Sequence, residues 1–76
     1  MEDRLKKVMA DVLGVNAAAI DEDSSPDTIA TWDSLRHMNL MLALEEEFSV
    51  KLKDEDIMTL ISYPLILLTL KEFLQK

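Results

Sequence analysis

Three polar side chains that could do chemistry stand close together in the stretch "TWDSLRHM", residues 31–38. Asp33, Ser34 and His37 are residue types used for proton transfer, nucleophilic attack or covalent attachment. Asp33 or Ser34 is equally suited to a helix N-terminus, where a side-chain oxygen accepts from a free backbone amide. No capping box extends the pair, because Arg36 and His37 stand where a glutamate or glutamine is needed. Helix capping and chemistry at the serine hydroxyl therefore both remain open.

One chemical alternative is a hydrolase built from Ser34, His37 and Asp33. A separation of three residues brings Ser34 and His37 together on a helix. Asp33, however, precedes the serine and is poorly placed to orient the far side of the imidazole. The sequence also has a single glycine, so no glycine-rich turn supplies an oxyanion hole. We interpret His37 as a residue at the edge of the core.

A second alternative is a calcium site in the polar segment "DEDSSPDTIATW", residues 21–32. Oxygen-bearing side chains fall at positions one, three, five and seven of an EF-hand-like loop: Asp21, Asp23, Ser25 and Asp27. Pro26 stands where the sharp turn requires glycine, and Trp32 where the bidentate glutamate belongs. We expect weak, adventitious divalent binding here and no dedicated metal site.

The first helix is predicted over residues 2–14. Its apolar residues follow the i, i+3, i+4, i+7, i+8 series of one buried stripe: Leu5, Val8, Met9, Val12 and Leu13. Gly14, the only glycine, suits a helix C-terminus that requires positive φ. Residues 15–33 lack periodicity and predict a loop. We expect three apolar side chains to attach this loop to the core: Val15, Ile20 and Ile29.

The rest of the chain also predicts helices. The second helix is predicted over about residues 34–48. Asp54 is placed to cap a short third helix, and the last helix is predicted over residues 62–74, with Pro64 in its first turn. No segment alternates convincingly over strand length. The sequence therefore predicts an all-α fold, a small four-helix bundle of three longer helices and one short helix, as a single domain over residues 1–76.

The second helix carries two apolar stripes. The first stripe is typical of a core and contains Leu40, Met41, Leu44 and Phe48. The second stripe lies about a third of a turn or more away and contains Leu35, Met38 and Leu42. Glu45 and Glu46 flank the second stripe, and unpaired carboxylates are rarely fully buried. We therefore interpret the second stripe as an exposed docking surface and not as part of a fully buried helix.

Composition narrows the function classes. The 76 residues carry a net charge of −7, which disfavours nucleic-acid binding and attachment to anionic membranes and favours partners with basic surfaces. The sequence contains no cysteine, so disulfides and thiolate metal sites are not expected. The N-terminal segment is acidic and amphipathic, and the longest apolar stretch, residues 57–70, is interrupted and too short to span a bilayer. We expect a cytoplasmic monomer without membrane insertion.

Three segments together resemble a known family, the acyl carrier proteins and, more broadly, the phosphopantetheine-binding carrier domains. Asp33-Ser34-Leu35 matches the Asp-Ser-Leu motif of that family. "LALEEEF" at residues 42–48 is similar to its continuation of the same helix, and "DEDI" at residues 54–57 to the start of its short third helix. The tripeptide alone is a weak signal. Followed at this spacing by "LALEEEF" in an acidic helical chain, it is specific, and the resemblance covers essentially the whole chain.

The resemblance implies that a phosphopantetheinyl transferase attaches 4′-phosphopantetheine from coenzyme A to Ser34. The thiol of that arm would hold an acyl group as a thioester, while acyl-activating, condensing or acyl-transferring enzymes perform the catalysis. A hydrophobic interior lined by adaptable methionines would shelter the acyl chain, as in some relatives. The implied docking residues are Asp33, Leu35, Arg36, Met38, Leu42, Glu45, Glu46 and Ile57.

Several positions depart from the common pattern of that family. Thr31-Trp32 replaces glycine and a small residue, Arg36 and His37 add positive charge after the motif, and Ser49 replaces a frequent glycine. These departures favour a specialised pathway with dedicated partners over general fatty-acid synthesis. The competing hypothesis is a helical adaptor that binds proteins through the second stripe and carries no prosthetic group, with Ser34 acting only as a cap.

Overall fold

The computed structural model describes residues 2–74, which form four α-helices and one 3₁₀ turn. The helices are α1 (Glu2–Leu13), α2 (Ser34–Phe48), α3 (Asp54–Thr59) and α4 (Tyr63–Leu74), and the 3₁₀ turn is Ala17–Ala19. Within the described residues no segment forms a strand. The predicted all-α bundle of three longer helices and one short helix is confirmed, whereas the 3₁₀ turn was not predicted.

The core is built from one apolar stripe of each long helix. The buried residues of these stripes are Leu5, Met9 and Leu13 on α1, Leu40, Met41, Leu44 and Phe48 on α2, and Tyr63, Ile66 and Leu70 on α4. Val8 and Val12 are partly buried at the edge of this cluster. Full burial of one large apolar side chain contributes about 1.5–3 kcal/mol, so these stripes are the main source of stability. The first stripe predicted for α2 is confirmed.

The long loop between α1 and α2 is attached to the core as expected. Gly14 adopts φ 69° after the end of α1, a conformation that costs glycine little. Ile20 and Ile29 are buried, and Val15 packs against the same cluster. Ser24 is also buried, and its carbonyl accepts from the Tyr63 amide at 3.0 Å. That hydrogen bond joins the middle of the loop to the start of α4.

The start of α3 differs from the prediction by one residue. Lys53 and not Asp54 occupies the N-cap position, and Asp54 is the first helical residue. The carboxylate of Asp56 accepts from the Lys53 amide at 3.2 Å. An acid at the third helical position therefore satisfies the amide of the cap residue, and no acid is needed at the cap itself.

Polar contacts join the helix ends. The guanidinium of Arg4 lies 2.7 Å from the Glu47 carboxylate and 2.8 Å from its carbonyl oxygen, which ties α1 to the end of α2. The Tyr63 hydroxyl donates to the Glu2 carboxylate at 3.2 Å, joining α4 to the start of α1. Burial of the phenol, reinforced by the negative charge of Glu2, raises the pKa of Tyr63 to about 12. The phenol thus remains a neutral donor throughout the physiological range.

Candidate functional site

Ser34 is the first residue of α2 and is exposed to solvent. Asp33 precedes it as the N-cap, and the Asp33 carboxylate accepts from the Arg36 amide at 2.9 Å. The choice between the two predicted caps is therefore settled in favour of Asp33, which leaves the serine hydroxyl available for chemistry. The first amides of a helix point outward without partners in the helix, and the dipole is positive at this end. A phosphate on Ser34 would be stabilised there.

His37 lies one turn after Asp33, and both of its ring nitrogens are engaged. Nδ1 is 3.0 Å from the indole Nε1 of Trp32, and Nε2 is 2.6 Å from the carbonyl oxygen of Ile57. The Asp33 carboxylate bonds a backbone amide and not the imidazole. Because these contacts occupy the imidazole and the carboxylate, the arrangement is not the Ser34–His37–Asp33 relay that a hydrolase would need.

An open, largely apolar pocket of about 450 Å³ lies beside Ser34. The loop, α2 and the region of α3 each supply part of its wall. The pocket is lined by residues that include Trp32, Asp33, Ser34, Met38, Ile57 and Met58. The predicted site residues Asp33, Ser34, Met38 and Ile57 are thus brought together at one opening. Its apolar wall suits an uncharged organic chain attached at the serine.

The second apolar stripe of α2 faces solvent. The exposed fractions are 72 % for Leu35, 46 % for Met38 and 57 % for Leu42. Met58 on α3 is exposed by 78 % and lines the same pocket as Met38. A run of exposed large apolar side chains is typical of a protein-binding surface. The prediction that this stripe is exposed is confirmed.

The charged residues predicted for docking have different surroundings. Glu45 is half-buried, and its carboxylate accepts from the Leu52 amide at 2.8 Å, on the side of α3. Glu46 is exposed and lines a separate groove of about 310 Å³ between α1 and α2. The Arg36 guanidinium donates to the Val12 carbonyl at 3.1 Å, at the end of α1. Glu45 and Arg36 therefore have structural partners, whereas Glu46 presents its charge to solvent.

The acidic loop at residues 21–27 is organised by its own hydrogen bonds. The Asp21 carboxylate accepts from the Asp23 amide at 2.9 Å, and the Ser24 hydroxyl accepts from the Asp21 amide at 2.8 Å. In the part of the chain that the structure describes, no three His, Asp or Glu side chains form a group that could hold a metal ion.

Within residues 2–74 no helix is both long and apolar enough to cross a membrane.

Comparison with known families decides the class of the protein. Residues 3–63 match the model of the family described as the phosphopantetheine attachment site. The chain belongs to this family. It is an acyl-carrier-type protein whose cofactor is covalently attached 4′-phosphopantetheine. The site fits that group, because an exposed hydroxyl at the positive end of a helix stands beside an apolar pocket. Carrier domains of this family are generally non-catalytic and interact with a modifying transferase and with acyl-handling enzymes.

Three residues that line the pocket beside Ser34 were not predicted from the sequence. Trp32 departs from the family pattern in sequence, and in the structure it is 3 % exposed and contributes to both the core and the pocket wall. Met58 and Ile61 line the same pocket and were not singled out. Helical spacing gives no signal for them, because Met58 is adjacent to Ile57 and Ile61 lies after the end of α3.

Proposed function

We propose that Ser34 is the residue that carries 4′-phosphopantetheine and that the protein shuttles acyl groups between partner enzymes. The observation that carries this proposal is the exposed Ser34 hydroxyl at the N-terminus of α2, next to Asp33, which takes over the capping. An oxygen already committed to capping would have to break its hydrogen bond before reacting. Ser34 is free of that requirement.

The modification requires one bond to form and one to break. The Ser34 Oγ attacks the pantetheine-side phosphorus of coenzyme A, the pyrophosphate bond breaks, and adenosine 3′,5′-bisphosphate leaves. The serine proton passes to a base of the transferase. When bound, the group supplies a terminal thiol that holds an acyl group as a thioester, a function that a cysteine-free chain lacks. The outward-facing amides at the start of α2 stabilise the negative charge of the phosphodiester.

The second stripe of α2 is the proposed docking surface. Leu35 and Leu42 offer apolar contact, while Asp33 and Glu46 offer negative charge to a basic partner. Met38 borders both this stripe and the pocket, so a partner seated on the stripe would lie directly beside the attachment site. The remaining proposed docking residues are Arg36, Glu45 and Ile57, whose side chains or backbone also make the structural contacts described above.

The pathway is inferred from the departures in the motif. Trp32 and His37 join α2 to α3 beside the attachment site, and Arg36 joins α2 to the end of α1, so the surface around Ser34 would differ from that of a carrier with a small residue and acids at these positions. We therefore propose a cytoplasmic monomer serving a specialised pathway, with a fatty acyl, polyketide, aminoacyl or hydroxyacyl cargo.

The test is the intact mass of the protein after incubation with coenzyme A and a promiscuous phosphopantetheinyl transferase. The parent should gain one phosphopantetheine, and Ser34→Ala should gain none. Ser62→Ala is the matched control, because Ser62 is also a serine at a helix start and its hydroxyl accepts from the Leu65 amide at 3.4 Å. It should be modified like the parent. If the folded parent gains no mass with several transferases, the unmodified adaptor becomes the better hypothesis.

A further inference from the structure

Trp32 and His37 form a hydrogen-bonded pair next to the attachment site. The indole of Trp32 donates to Nδ1 of His37 at 3.0 Å, and the two rings lie 6.0 Å apart between centroids at an interplanar angle of 28°. Trp32 is two residues before Ser34, and His37 is three residues after it. The pair therefore connects the loop that leads into α2 with the first turn of α2.

The Nε2 side of the His37 imidazole contacts α3. Nε2 of His37 lies 2.6 Å from the carbonyl oxygen of Ile57, in the last turn of α3. The two amides that follow this turn bond elsewhere: Leu60 donates to the Asp56 carbonyl and Ile61 to the Thr59 carbonyl. His37 thus provides a donor for a carbonyl at the C-terminal end of α3, where such groups lack partners in the helix.

These two hydrogen bonds fix the tautomer of His37. An indole N–H only donates and a carbonyl oxygen only accepts. Nδ1 must therefore be unprotonated and Nε2 must carry the hydrogen, so the chain of contacts requires a neutral imidazole in one tautomer. A proton on Nδ1 would face the Trp32 N–H and abolish that hydrogen bond.

Helix α3 has few other contacts that fix its position. It is only six residues long, and none of its side chains is fully buried. Isolated helices of this length are not stable in water. Leu52 before the helix and Leu60 after it are buried, but within α3 the contact at Ile57 joins the backbone directly to α2. Ile57 and Met58 also form one wall of the pocket beside Ser34.

We propose that Trp32 and His37 are positioning residues: the chain of contacts Trp32–His37–Ile57 holds α3 in place as a wall of the pocket beside Ser34 and sets how well the transferase engages that serine. This inference rests on the proposed function of Ser34. It assigns a role in modification to two residues that do not themselves react. Asp33, at the same pocket, keeps its own role as the cap of α2.

Three variants separate the parts of this proposal. His37→Leu removes both hydrogen bonds, and Trp32→Phe removes only the indole donor. His37→Gln keeps one acceptor and one donor on a planar group. The transferase rate is measured against carrier concentration to separate KM from kcat. We expect His37→Leu to raise KM about fivefold, the low end of the range for the loss of two hydrogen bonds. Trp32→Phe should raise it less, and His37→Gln should stay near the parent.

Nuclear magnetic resonance gives a readout that does not depend on modification. The imidazole nitrogen spectrum of the parent should show Nδ1 unprotonated and Nε2 protonated. The single tryptophan should give one indole N–H resonance, which shifts in His37→Leu and is largely restored in His37→Gln. The opposite tautomer would overturn the inference. A parent-like KM in His37→Leu would also overturn it. Complete modification of the parent would in that case still support Ser34 as the attachment residue.

Folding is checked on each variant by circular dichroism. If His37→Leu does not fold, Trp32→Phe decides, because it keeps an aromatic ring in the core and removes only the indole donor. An unchanged KM in folded Trp32→Phe would then contradict the proposal. A parent that is folded but never modified would overturn both the Ser34 assignment and this inference.

Discussion

The two apolar faces of α2 have similar side chains and opposite environments. Leu40 and Leu44 on one face are fully buried in the core, whereas Leu35 and Leu42 on the other are exposed by 72 % and 57 %. Burial of the first face stabilises the fold by removing apolar area from water. The second face leaves its apolar area exposed to water, so it contributes little to the stability of the fold. One helix therefore carries leucines that stabilise the core and exposed leucines that we propose contact partner enzymes.

The largest predicted difference between the faces is in stability. Leu44→Ala should lower the free energy of unfolding by about 2–5 kcal/mol, because it removes buried contacts and leaves a cavity. Leu42→Ala on the exposed face should change it by less than about 0.5 kcal/mol. Urea denaturation followed by circular dichroism measures both. Equal losses in the two variants would mean that both faces are buried in solution.

The second-largest predicted difference is between the unfolding free energies of variants at the two glutamates beside the exposed face. Glu45→Ala leaves the amide of buried Leu52 without its acceptor and should cost about 1–2 kcal/mol of unfolding free energy. Glu46→Ala removes the same charge without a structural contact, so the difference between the variants isolates the hydrogen bond. Thermal or urea unfolding of the pair provides the measurement. If Glu46→Ala is the more destabilised variant, the roles assigned to the two acids are reversed.

The exposed face should matter for partner binding. Leu42→Ala should raise the KM of the transferase about fivefold, corresponding to about 1 kcal/mol of lost contact, with unfolding free energy unchanged. Leu68→Ala on α4 is the matched control, because Leu68 is exposed by 56 % but lies outside the proposed docking surface. Steady-state modification kinetics compare the two. An identical rise in both variants would remove the distinction between the α2 stripe and any other exposed leucine.

The smallest predicted effect concerns Ser49 at the end of α2, where a substitution should change stability and leave partner binding unchanged. Ser49 adopts φ 53° in the left-handed region, which is unfavourable for residues with a Cβ atom. Ser49→Gly should therefore raise the unfolding free energy by about 0.5–1 kcal/mol net of its greater chain entropy. Ser49→Ala keeps the Cβ atom and should give no gain. Neither variant should alter the transferase KM, and a change in KM would mean that this cap also contributes to docking.

Local patterns predicted the helices and both faces of α2. The 3.6-residue periodicity identified the buried positions around Leu40 and Leu44, and the flanking acids identified the exposed stripe. Gly14 correctly marked the end of α1, because the positive φ that often ends a helix favours glycine. These features depend on residues within one or two turns, which is the range over which a sequence pattern acts.

Contacts between distant residues could not be predicted in the same way. The burial of Trp32 and the bond from His37 to the Ile57 carbonyl depend on where α3 lies, 20 residues along the chain. The N-cap of α3 was placed on Asp54 because acids favour that position, whereas Asp56 satisfies the Lys53 amide instead. Tertiary packing and backbone acceptors are not encoded in side-chain spacing alone.

The most direct test of the central claim is localisation of the modification by tandem mass spectrometry. After treatment with coenzyme A and transferase, trypsin cleavage at Lys7 and Arg36 releases residues 8–36, which contain Ser24, Ser25 and Ser34. Fragment masses distinguish the three serines. The account predicts that all of the added phosphopantetheine is on Ser34. Modification at Ser24, at Ser25 or in another peptide would contradict it.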